Sequence, residues 1–368
     1  MKKLLTILLA LTLLASLTAC GNEGKKDDKS SKTTTATTTA GTTTEAPTTT
    51  TTFLSDCPTL PPSTTETSAP ETTAATTTTQ APTSTSTVAP STSATKAPTT
   101  TTTTVVAPNA GNVPKSIKIL SVGNSFSVDA MRNHLYPMLE AAGCTDIHLG
   151  ILYIGGCSID KHYECIRRDS ASYQYQENVN GTWTYTDNYK ASDAFALTDW
   201  DIVTVQQVSG QSGRGISYEN LDPLMELIRP QIGGAKVYWH MTWAYQQDSD
   251  HADFPNYNND QMRMYKGIVR ATTDKILPRK DMAGYFPCGT AIQNLRTSSL
   301  GDTLTADGYH LKDSYGDYTA ALTWFCYLTG ADAASVTYRP IDIVSHFDEI
   351  AESVDNAIKT PLAVTECE

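Results

Sequence analysis

Positive charge is scarce in this chain: Lys and Arg number 27 against 39 Asp and Glu in 368 residues, a formal net charge of -12. A nucleic-acid binder needs a basic stripe to neutralise phosphates, and none is concentrated here, so no nucleic-acid partner is expected. Long apolar runs are missing too, apart from one at the N-terminus that is short for a span, which argues against a polytopic membrane protein. No GxGxxG, Walker loop or HExxH occurs, and the eight cysteines show no paired CxxC spacing. No cofactor and no metal is therefore required, and no zinc ribbon or full disulfide framework is indicated, though one or two disulfides stay open.

The charge that is present is unevenly placed. Residues 1–114 hold seven Lys and seven acidic residues, so the whole imbalance belongs to the 254 residues from 115 to 368. That length suffices for one large domain or two small ones. The first 20 residues read as an address: Met1-Lys2-Lys3 is a positive n-region, residues 4–17 an apolar h-region, and Leu17-Thr18-Ala19-Cys20 a small-residue cleavage site. Those last four resemble the bacterial lipobox, which implies lipidation of Cys20 and a membrane partner through that anchor; an ordinary signal peptide with a chance cysteine is the alternative. Residues 21–114 form a linker, and 31–107 are dominated by Thr with Ser, Pro and Ala. Such a segment has too little apolar surface to offset its ordering entropy and is expected to be a disordered stalk giving reach.

From residue 115 onward, apolar runs alternate with helical periodicity. Strands are expected at 117–122, 146–154, 201–205, 235–241 and, more weakly, 281–286. Helices are expected at 128–142, 221–232, 259–276 and 315–328. This alternation predicts an α/β fold of three layers with a central parallel sheet covered on both faces. Ligands sit at the carboxyl ends of the strands in such folds, which directs attention to residues 123–127, 155–158, 206–212 and 242–245. Residues 165–195 break the pattern. Tyr173, Tyr175, Trp183 and Tyr185 flank Asn180-Gly181 in period-two alternation, a β-hairpin signal, read as an insertion beside the third strand. Its aromatics suit either a sugar-stacking wall or packing on one another.

Gly123-Asn124-Ser125-Phe126-Ser127 puts Ser125 on the turn between the first strand and the first helix, where its backbone N–H lies near a helix N-terminus. Taken by itself this is also the pattern of a helix cap. Asp307-Gly308-Tyr309-His310 adds the missing chemistry, because a nucleophilic serine needs a base and the base needs an acceptor on its other ring nitrogen. Other histidines have plainer readings. His162 is a reserve base or a packing residue, His240 is structural, and His251 with Asp248, Asp250 and Asp253 is a solvated acidic loop.

Together the blocks Gly123-Asn124-Ser125 and Asp307 to His310 resemble the SGNH, or GDSL-type, hydrolases, with Asn124 in place of the commoner Asp. Residues 242–245 and 289–294 look like a secreted bacterial branch of that superfamily. The resemblance implies a flavodoxin-like fold and a Ser125, His310, Asp307 triad acting on esters. It also implies an oxyanion hole from the N–H groups of Ser125 and Gly156, the latter within Gly155-Gly156-Cys157-Ser158. The family's GxND block is replaced by Val205-Gln206-Gln207-Val208-Ser209-Gly210, so the Gln207 amide is the expected third donor, with Gln206 in reserve. Trp243 and Tyr245 are expected to bind substrate. The expected activity is removal of small acyl groups, acetyl foremost, from a cell-surface polysaccharide. A lipase or thioesterase of the same fold and a non-catalytic glycan-binding adhesin are the alternatives.

Overall fold

The computed structural model describes residues 109–368. Cys20, the expected signal peptide, the whole Thr-rich stalk and Cys57 lie outside the described residues. The elements run β1 (Ser116–Gly123), α1 (Ser125–Met131), α2 (Leu135–Ala141), β2 (Asp146–Tyr153), α3 (Ile159–Arg167), β3 (Tyr173–Asn178), β4 (Trp183–Tyr189) and α4 (Ala191–Ala196). They continue with β5 (Ile202–Val205), α5 (Leu221–Ile228), β6 (Lys236–His240), α6 (Gln261–Ala271), β7 (Gly284–Phe286), α7 (Cys288–Leu295), α8 (Tyr315–Thr329) and α9 (Phe347–Lys359).

Seven strands form one sheet in the order β4-β3-β2-β1-β5-β6-β7. All pairs from β2 to β7 are parallel, and β3 and β4 join antiparallel at one edge. Without the hairpin, the order β2-β1-β5-β6-β7 is the flavodoxin-like arrangement, whose crevice opens where the winding reverses on either side of β1. The interior strands carry the sequence signature of burial on both faces. Residues 119–124 are all buried, as is every residue of β5. Helices flank the sheet: α1 and α2 pack on α8, which α7 and α9 also contact, while α3 packs on α4 and α5.

Three expectations need correction. The helix expected over 128–142 is two helices, because the chain turns at residues 132–134. There Asn133 donates to Asp317 Oδ2 and His134 Nε2 lies 3.2 Å from Asp317 Oδ1, contacts with α8 that local periodicity cannot announce. The hairpin pairs with β2, not with the third expected strand, its Gln174 opposite Tyr153. And residues 109–112, counted with the linker from composition, are tied to the end of α8: Asn109 N–H donates to Asp332, and Asn112 N–H to Thr329 O at 2.7 Å. Cys144, Cys157, Cys165, Cys288, Cys326 and Cys367 are buried free thiols.

Candidate active site

The strand-to-helix turn after β1 is built by three neighbouring residues. Gly123 is required by close approach, since a Cβ there would lie 2.0 Å from Ser127 Oγ. Asn124 caps α1, its Oδ1 accepting from Phe126 N–H at 3.0 Å. Ser125 opens the helix, so its own N–H has no intrahelical acceptor.

The loop 305–311 brings the base to it. Asp307 Oδ1 accepts the N–H groups of Tyr309 and His310 at 3.2 and 2.8 Å, closing a tight turn, and Oδ2 lies 2.7 Å from His310 Nδ1. Because a carboxylate only accepts, Nδ1 carries the proton and the lone pair of Nε2 faces Ser125 Oγ, 2.8 Å away. Burial pushes the Asp307 carboxyl up, but these hydrogen bonds outweigh it and hold the group below the ordinary carboxylate range. The structure thus brings Ser125, His310 and Asp307 into one relay across 185 residues of sequence.

The β2 turn stands beside the nucleophile turn because β1 and β2 run in register up to Gly123 and Tyr153. Ile154 N–H donates to Gly123 O at 3.4 Å, and Asn124 Nδ2 to Cys157 O at 3.0 Å. Gly156 has φ +60 with open space where a Cβ would sit, and no acceptor among the described residues takes its N–H. Two backbone donors, on Ser125 and Gly156, are therefore free on adjacent turns.

Gln207 does not join them. Its Oε1 accepts from Ile159 N–H at 3.0 Å and Val208 N–H at 2.8 Å, and its Nε2 donates to Ser217 O at 2.7 Å and Ser217 Oγ at 3.1 Å. The amide is committed to the start of α3 and the loop after β5, which overturns its expected place as third donor. Gln206 is equally engaged, its Nε2 donating to Asn124 Oδ1 at 2.6 Å. Trp243 and Tyr245 are likewise not exposed to substrate, both being fully buried. The Trp243 indole stacks on Phe126 with ring centres 4.2 Å apart and donates to Tyr309 O at 2.8 Å; Tyr245 OH is 2.9 Å from Ser209 Oγ. Apolar packing beneath the catalytic loop draws both rings inward. His162 is buried against Tyr173 OH at 3.1 Å, and burial drives its pKa down to about 3, leaving it neutral and away from the relay.

One contributor is missed by the sequence reading. Asp129, one helical turn after Ser125, accepts Leu311 N–H at 2.9 Å and so fastens the base loop to the nucleophile helix. The only local signal is an acid four residues after the serine on the same helix.

A doubly wound sheet with a serine on its first strand-to-helix turn, relayed through a histidine to an aspartate three residues before it, has the nucleophile, base and orienting acid of a serine hydrolase. The chain belongs to the family described as a domain of unknown function, DUF4886, whose pattern matches residues 118–358. A crystal structure of a DUF4886 family protein from Bacteroides uniformis is 40% identical, covering 68% of this chain and 98% of that one, with a TM-score of 0.66. A proposed SGNH hydrolase from Slackia heliotrinireducens is 21% identical, covering 57% of this chain and 97% of that one, with a TM-score of 0.36. An acetyl xylan esterase structure is 16% identical, covering 58% of this chain and all of that one, with a TM-score of 0.37. No curated protein matches.

Proposed function

We propose that the chain is a cell-surface, lipid-anchored esterase that removes acetyl groups from a polysaccharide through an acyl-enzyme. The observation that carries this reading is the continuous pair of contacts Ser125 Oγ to His310 Nε2, 2.8 Å, and His310 Nδ1 to Asp307 Oδ2, 2.7 Å. Ser125 attacks the ester carbonyl as His310 takes its proton. The carbonyl oxygen, now negative, is received by the N–H groups of Ser125 and Gly156. His310 then gives the proton to the departing sugar oxygen, and later activates water to release acetate. Asp307 holds the tautomer and stabilises the imidazolium.

The acyl and alcohol assignments rest on setting. The His310 and Asp307 side chains are 31% and 44% exposed, so a bulky polymeric alcohol has room beside the base. The acidic excess of residues 115–368 disfavours an anionic polymer or lipid surface. Purified wild-type chain is expected to hydrolyse p-nitrophenyl acetate faster than the butyrate and octanoate esters and to release acetate from acetylated xylan. Ser125→Ala should lower turnover by about 10⁴-fold or more. A rate that rises with acyl length supports the lipase or thioesterase reading instead; wild-type chain that turns over none of these esters points to the non-catalytic adhesin, and turnover untouched by Ser125→Ala excludes Ser125 as the nucleophile.

A further inference from the structure

Asn124 and Gln206 stand where this chain departs from the SGNH pattern, and they touch each other. Both are buried to within 1%. A one-way line of hydroxyls runs through the sheet: Thr204 Oγ1 donates to Ser121 Oγ at 2.9 Å, Ser121 to Ser127 Oγ at 2.8 Å, and Ser127 to Gln206 Oε1 at 2.6 Å. His240 Nδ1 reaches the same oxygen at 2.8 Å. Since that oxygen only accepts, Nδ1 carries the His240 proton. Burial drives the His240 pKa down to about 3, so the ring stays neutral.

With its oxygen fixed by two donors, Gln206 has a single orientation. Its Nε2 must face Asn124 Oδ1, 2.6 Å away. Asn124 is then fixed as well: Oδ1 takes the Gln206 and Phe126 N–H groups, and Nδ2 is left to donate to Cys157 O at 3.0 Å. Cys157 follows Gly156 directly. A side-chain amide of the nucleophile turn thus ties it to the turn that carries the second free backbone donor. The commoner Asp at 124 lacks a donor, and its second oxygen would face the Cys157 carbonyl.

We propose that Asn124 and Gln206 are a coupled pair of positioning residues that set the spacing between the Ser125 and Gly156 N–H groups receiving the oxyanion. Gln206 fills the position of the family's GxND block not by donating to the oxyanion but by aiming Asn124, and Asn at 124 is what makes Gln206 useful. This inference rests on the esterase reading above.

The test is steady-state hydrolysis of p-nitrophenyl acetate by Asn124→Asp, Asn124→Ser, Gln206→Met and the Asn124→Ser/Gln206→Met double variant. Affinity for a trifluoromethyl ketone, which forms a tetrahedral oxyanion on the serine, is measured in parallel. Asp and Ser both cap helices as well as Asn, so a purely capping role leaves their turnover near wild type. A positioning role lowers kcat by about 10²-fold, as for loss of one oxyanion donor, with KM within about threefold. Analogue affinity should fall by a factor matching kcat/KM, and the double variant should be little worse than either single one. Near wild-type kcat in both Asn124 variants, unchanged analogue affinity, or full additivity would overturn the proposal. Should Gln206→Met not fold, the two Asn124 variants and their analogue affinities decide alone. Turnover lost in Ser125→Ala but kept in the Asn124 variants sinks the spacing role only; turnover that survives Ser125→Ala removes the esterase reading itself.

Discussion

Asp129 shows how one side chain can couple the site to pH. Burial pushes its carboxyl up to about 7, against the lowering effect of the Leu311 N–H and the nearby His310, with Asp317 on α8 and Asp307 raising it further. A carboxyl whose folded pKa lies above its unfolded value binds more protons when folded between about pH 4 and 7, so folding stability falls as pH rises through that window. Asn at this position still accepts Leu311 N–H but does not titrate. The expected outcome for Asp129→Asn is a melting temperature that, relative to wild type, rises from pH 4.5 to about 7 and levels off above it, read by thermal denaturation at each pH from 4.5 to 8. A constant offset across that range would show that Asp129 does not titrate there. The contrast with Asp307 and Gln207 explains what was legible. Asp307 and His310 lie within one turn, so the string itself displays their pairing, and the serine needs only a strand-to-helix turn to be noticed. The partners of Gln207, namely Ile159 and Ser217, lie 48 and 10 residues away, and nothing local tells which way a long amide will point. Asp129 was hidden for the same reason, since Leu311 is 182 residues distant.

Elements follow the same division between local and long-range causes. The strands were legible because burial on both faces leaves continuous apolar runs, and the hairpin because Asn180-Gly181 suits its turn. Its neighbour was not, because either edge of a parallel sheet can accept an antiparallel pair. The segment after β6 is the strongest instance. Its place past a strand end predicts a substrate-facing segment, yet it turns under the catalytic loop. There Trp243 bridges the residue after the nucleophile and the residue before the base, and Gln246 N–H donates to Gly308 O at 2.8 Å. Trp243→Phe keeps an aromatic face on Phe126 and leaves the Tyr309 carbonyl without its donor. That lost hydrogen bond is part-buried, and together with the smaller ring in the fully buried Trp243 site it costs about 1–3 kcal/mol. The expected outcome is a melting temperature lower by about 2–6 °C for a domain of this size. Turnover should fall modestly, by about 3–10-fold if up to about 1.4 kcal/mol of the loss is felt at His310. Calorimetry and p-nitrophenyl acetate kinetics check both, and an unchanged melting temperature would show that the indole N–H holds nothing.

For the molecule as a whole, the address is proposed from Leu17-Thr18-Ala19-Cys20. Several acyl chains on one cysteine hold a protein stably at a membrane where one holds it weakly. Cys20→Ser is expected to move the protein from the membrane fraction to the soluble one without altering its rate on p-nitrophenyl acetate; unchanged fractionation would exclude the anchor. The polarity of β1 then acquires a meaning of its own. The chain enters the folded body at residues 109–115, fastened to residues 329–332, and β1 carries it from Ser116 to Gly123. Eight residues of extended chain span about 26 Å, so Ser125 emerges at the pole opposite to the point of entry. Whatever is joined just before residue 109 therefore sits at the pole remote from Ser125, so an affinity tag or a solid support attached there should leave the face that carries the triad clear for substrate.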